Sequence, residues 1–113
     1  MKPTIYITGN DSLPTEQLRK LLQEAETKIR ARLPHAAIIN PLKLGIPAGW
    51  STRERLELRL KIMRTANAVV FLKDWIKGPY SKQEYLEAHN AGKDVFLICQ
   101  LDMLTNEYGH LVS

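Results

Sequence analysis

The chain has 113 residues, 44% hydrophobic and 25% charged, which fits one globular domain with one core and argues against a disordered or fibrous chain. A single cysteine, Cys99, excludes an internal disulfide and a cysteine-built zinc site, and makes the cytoplasm the expected location. The formal charge of +4 and pI near 9.3 suit phosphate ligands, yet the lysines and arginines are scattered among glutamates without a polybasic run, which argues against a dedicated nucleic-acid binder.

In chain order, Ile5, Tyr6, Ile7 and Thr8 are a short β-rich run stopped by Gly9-Asn10-Asp11, predicting a first strand and its exit turn. Leu18, Leu21, Leu22, Ala25 and Ile29 recur at the spacing of one helix face, predicting a helix over residues 15–32 that Pro34 closes. Residues 36–39 read as a second, brief strand ended by Asn40-Pro41, and residues 42–50, with Gly45, Pro47 and Gly49, as a long loop. Ser51-Thr52-Arg53-Glu54 has capping-box spacing and predicts the start of a second helix, with Leu56, Leu60 and Met63 on one face. Residues 67–72 are apolar without alternation, as a parallel strand buried on both faces requires. A third helix is expected from Ser81 to about Ala91 with Gly92 in the C-cap role, then a last strand over 95–99. Residues 100–113 carry Leu104 and Leu111 among polar residues, which leaves open a short helix, a docking arm or a frayed end. The longest apolar runs fall far below the roughly 18 residues of a membrane span, and the N-terminus leads into a strand rather than a signal peptide.

Strands alternating with helices predict an α/β fold: a three-layer, flavodoxin- or Rossmann-like sandwich with a four-stranded, mainly parallel sheet in the order 2-1-3-4, as one domain over residues 1–113. Ligands of such sheets bind beyond the carboxyl ends of the strands where the order reverses, here between strands one and three. The segments delivered there are Gly9-Asn10-Asp11, residues 74–80 and the first turn of the third helix.

Glu84 is the leading candidate, a carboxylate at the mouth of that crevice, able to attack an anomeric carbon or shuttle a proton. Its competing role is structural, since Ser81-Lys82-Gln83-Glu84 is itself a capping-box spacing. Asp74, past the end of the third strand, is a second acid or base candidate. Gly9 permits close approach of backbone to ligand. Ser81 and the first amides of its helix are candidates to hold a phosphate, with Lys77 and Lys82 nearby. Trp50 and Trp75, outside periodic core positions, can stack on a base or pack over the sheet. The three histidines are too irregularly spaced for a metal site, and neither G-x-G-x-x-G nor a P-loop is present.

The order of these motifs resembles the nucleoside 2-deoxyribosyltransferase-like family, above all its short phage and bacterial branch. Ile5-Tyr6-Ile7-Thr8-Gly9 is similar to the family's opening strand and turn, and Ile39-Asn40-Pro41 to the end of its second strand. Residues 66–70, running on to Asp74-Trp75, resemble its third strand and exit. Glu84 falls on its catalytic glutamate, eight residues before Gly92-Lys93-Asp94-Val95. The resemblance implies cleavage of the N-glycosidic bond of a 2'-deoxynucleoside or its 5'-monophosphate. Glu84 is then the nucleophile, Tyr6, Gly9, Asn10, Trp75 and Ser81 are substrate contacts, and Asp74 is a stand-in acid. It implies no cofactor and no metal, a small-molecule partner, and a homo-oligomer in which the tail near Tyr108 is an arm. The family's acidic, glycine-containing loop before the helix is replaced here by Gly78-Pro79-Tyr80-Ser81, and Asn67 replaces the acid that usually opens strand three. A non-catalytic module binding a nucleotide, a metabolite or a protein on the same fold is the alternative.

Overall fold

A computed structural model describes residues 2–109. The order of elements is β1 (Thr4–Thr8), α1 (Thr15–Arg32), β2 (Ala37–Ile39), α2 (Thr52–Met63), β3 (Ala68–Phe71), α3 (Pro79–Asn90), β4 (Asp94–Leu97) and α4 (Leu101–Tyr108). The four strands form one parallel sheet in the order β2-β1-β3-β4, as expected. β1 lies at its centre, pairing Ile5 with Ile38 on one side and with Ala68 on the other.

Alternation along β1 divides the core in two. Ile5 and Ile7 join Leu18, Leu22 and Ile29 of α1 and Leu104 and Tyr108 of α4 on one face. Tyr6, Val69 and Phe71 join Met63 of α2 and Ala88 of α3 on the other. Thr8 also follows Tyr6 by two residues, so β1 turns a phenol and a hydroxyl toward α2 and α3. That polar stripe in the centre of the sheet positions the site described below.

The α2 start forms as its sequence requires: Glu54 N–H donates to Ser51 Oγ at 3.1 Å and Ser51 N–H to Glu54 Oε1 at 3.0 Å. The α3 start does not. It begins at Pro79, two residues before the expected Ser81, because proline is already set for a first helical position. The last strand ends at Leu97 rather than residue 99, and residues 98–100 turn into α4. In the tail, Leu101, Leu104 and Tyr108 are buried, so the segment as far as Tyr108 packs on this chain's own sheet. The rest of the expected arm, residues 110–113, lies outside the described residues. Gly92 has φ +68°, the left-handed value that suits it to end α3. Among the described residues, no helix is long and apolar enough to cross a membrane.

Candidate functional site

The buried positions of α3 are Ser81, Glu84 and Ala88, the three-and-four spacing of a helix face, and they bring Glu84 against β1. Arg59 comes from the apolar face of α2, between Leu56 and Met63, and points at the same place. Four side chains then close on one another. Glu84 Oε1 accepts from Thr8 Oγ1 at 2.8 Å and from Arg59 Nη2 at 2.9 Å. Glu84 Oε2 accepts from the Tyr6 hydroxyl and from Arg59 Nε at 3.2 Å, and Arg59 Nη2 also reaches Thr8 Oγ1 at 3.2 Å. Tyr6, Thr8 and Glu84 are 0% exposed and Arg59 6%.

A pair of opposite charges this deep is tolerated only because its polar atoms are satisfied by partners in good geometry. Burial pushes the Tyr6 hydroxyl well above its ordinary value and the Glu84 charge adds to that, with Arg59 opposing, so Tyr6 stays a hydrogen-bond donor. Burial alone works against the charge on Arg59, but the Glu84 carboxylate outweighs it and holds the guanidinium firmly protonated. The Arg59 guanidinium also lies over the ring of Tyr80, 4.7 Å from its centroid.

Glu84 therefore does not form the capping box its spacing allows: its oxygens are spent on β1 and α2. The α3 start is capped from β1's exit loop instead. Asp11 accepts from Tyr80 N–H at 3.0 Å and Ser81 N–H at 3.2 Å, and Ser81 Oγ lies 3.3 Å from the same carboxylate. Ser81 Oγ also bonds the carbonyl of Gly78 at 3.2 Å. A Cβ on Gly78 would fall 2.3 Å from Asp11 Oδ1, so the close approach of the two loops needs glycine there. The amides expected to hold a ligand phosphate thus face an internal carboxylate.

Arg59 is the member of the quartet that lines a cavity of about 250 Å³, open to one side, with Asp11, Leu42, Ile46, Arg55 and Tyr80 among its other lining residues. Of the residues expected at the site, Tyr6 and Glu84 are brought together in the quartet, fully buried and outside the cavity lining, and Ser81 follows the lining residue Tyr80 at the α3 start. Gly9 is buried with its would-be Cβ 3.1 Å from Leu72 Cβ, where β1 and β3 leave the sheet in close contact. Asn10 is turned onto its own loop, accepting from Ser12 N–H at 3.1 Å. Trp75 stacks on Tyr85 with centroids 4.1 Å apart and meets Phe71 at 5.4 Å, so its ring is part of the packing against α3. Asp74, at φ +62°, is exposed, lies 3.9 Å from Lys77, and lines a different crevice with Ile98 and Cys99.

Arg59, Thr8 and Asp11 join the candidate site without having been named for it singly: Arg59 is one of the scattered cations, Thr8 a strand residue, and Asp11 part of the turn expected at the crevice. A signal for Arg59 was present: a cation at the apolar spacing of α2 and a carboxylate at the apolar spacing of α3 have to meet or be paid for by desolvation. Asp11 had no such signal, because its partner amides are 69 and 70 residues away. Among the described residues, no group of three or more His, Cys, Asp or Glu is placed to hold a metal ion.

Residues 3–97 match a family model described as "Domain of unknown function (DUF4406)", and the chain belongs to that family. The match runs from before β1 to the end of β4 and includes all four members of the buried quartet. No curated protein matches the chain.

Proposed function

We propose that this member of the DUF4406 family cleaves the N-glycosidic bond of a 2'-deoxynucleoside or its 5'-monophosphate, or transfers the deoxyribosyl group, with Glu84 as nucleophile. The observation that carries the reading is the seating of Glu84: a carboxylate from α3 held against the Tyr6 and Thr8 hydroxyls of the central strand and joined through Arg59 to a cavity that loops after the strands line. A Glu84 oxygen attacks C1', forming a C1'–O bond as the C1'–N bond breaks, and the base leaves with the bonding pair and takes a proton from water in the cavity. Water or a second base then attacks C1', gives up its proton and frees Glu84, the two-step course of retaining glycosidases. Tyr6 is a positioning residue, holding one carboxylate oxygen so that the other faces C1'.

In the closed arrangement both oxygens of Glu84 are engaged, so attack requires Arg59 to release at least one of them. That same engagement, with Glu84 fully buried, favours a second reading in which the cavity binds a nucleotide or related metabolite without cleaving it. Incubation with deoxynucleosides and their 5'-monophosphates separates the two. Free base supports the first reading, and thermal stabilisation without base supports the second. Assembly into a homo-oligomer belongs to the same proposal, and a sedimentation mass of one chain at working concentration removes it.

A further inference from the structure

We infer that the cavity holds an anion subsite on α2, formed by Arg55 and the open edge of Arg59, and that it takes the phosphate of a nucleotide ligand. The inference rests on the nucleoside reading above and narrows it to phosphorylated ligands bound away from the α3 start.

Three observations support it. Arg59 is 94% buried by its 6% exposure, and it spends Nε and Nη2 on Glu84 and Thr8, while its Nη1 makes no hydrogen bond among the described residues. No fully buried side-chain nitrogen or oxygen among those residues lacks a partner, so Nη1 keeps some exposure on a residue that lines the cavity. Arg55 lines the same cavity from one turn earlier on the same face of α2. It bonds only carbonyl oxygens, those of Ala48 at 3.0 Å, Trp50 at 3.2 Å and Pro47 at 3.3 Å, and makes no ion pair among the described residues. Glu84 matches the charge of Arg59 and Asp11 is turned onto the first amides of α3, so Arg55 is the cation of this lining with no carboxylate partner among the described residues, and a phosphate would supply one.

The other anion holder in the cavity is already taken. The first amides of α3 donate to Asp11, and a phosphate entering there would meet that carboxylate at hydrogen-bond range. Lys77 is turned to Asp74, which lines the other crevice. An anion in the cavity is therefore directed to α2, with its organic body against Tyr80, Leu42 and Ile46. The same guanidinium that holds Glu84 closed is then the one that the ligand's charge engages.

The test is calorimetric binding of the four 2'-deoxynucleosides, their 5'-monophosphates and inorganic phosphate to the full chain, with base release followed in the same samples. Arg55→Gln and Arg55→Lys are compared with the unaltered protein, each shown to be folded by circular dichroism. The expected result is tighter binding of at least one monophosphate than of its nucleoside, a preference reduced about tenfold by Arg55→Gln and partly kept by Arg55→Lys. A phosphate preference untouched by Arg55→Gln places the anion elsewhere and overturns the inference while sparing the nucleoside reading. Equal binding of nucleosides and monophosphates does the same. Binding of inorganic phosphate alone, or of none of the probes, overturns both.

Discussion

Arg59 and Glu84 meet at 2.9 Å in the middle of the domain, one from α2 and the other from α3, and their side chains are 8% and 0% exposed. The pair joins the two helices on one face of the sheet to each other and, through Tyr6 and Thr8, to the central strand.

Breaking the pair from one side strands the other charge. Arg59→Met or Glu84→Leu is expected to cost about 3–5 kcal/mol of stability, whereas the double variant is expected to recover much of that loss. Urea unfolding of the three variants reads the coupling directly.

Tyr6→Phe keeps the ion pair and removes one donor to Glu84, so it separates chemistry from folding. Its expected stability loss is about 1–2 kcal/mol. If Tyr6 positions the nucleophile, base release falls in kcat with KM little changed, and equal effects on both would reduce Tyr6 to a structural residue.

Gly78 and Asp11 belong to one joint. Gly78→Ala is expected to push Asp11 off the α3 amides and destabilise the chain by about 2 kcal/mol or more, and Asp11→Ala by about 1–2 kcal/mol for the lost cap. Thermal melts give both values.

Asp74 lines a crevice with Trp75 and Cys99 that is distinct from the cavity Arg59 lines, so Asp74→Asn is expected to reduce base release no more than a surface control such as Lys61→Gln. A larger loss would restore it as an acid in the reaction.

The acid limb of stability has a named contributor. Burial alone raises the Glu26 carboxyl, but the Asn40 amide, Lys43 and Arg30 outweigh it and hold it below the usual carboxylate value. The folded chain then binds fewer protons than the unfolded one near that value. Its contribution is present above the unfolded value of about 4.3 and is lost as pH falls through the lower folded one. Glu26→Gln is expected to lower stability at neutral and alkaline pH and to flatten its fall with acid in that window, by urea midpoint.

The strands and helices, and the order of the sheet, were legible because each rests on local patterns: unbroken apolar runs for β3, helical spacing for α1, and the capping box before α2. The α3 start was misplaced since Ser81-Lys82-Gln83-Glu84 has the form of a local cap, whereas the actual cap arrives from Asp11 across the fold. Glu84 was legible as a candidate from its place after the third strand, whereas Arg59 showed only as a cation at an apolar helix spacing, with nothing to say what it meets. A charge that is paired only in three dimensions looks, in one dimension, like a surface cation on a helix.

Glu84 as nucleophile is tested most directly by the rate of base release from deoxynucleoside 5'-monophosphates, comparing the unaltered chain with Glu84→Gln after both are shown to be folded and to bind the same ligand. Release by the unaltered chain and a loss of at least about a thousandfold in Glu84→Gln are expected. Release at comparable rates by the two proteins, or by neither while both bind, would contradict that role.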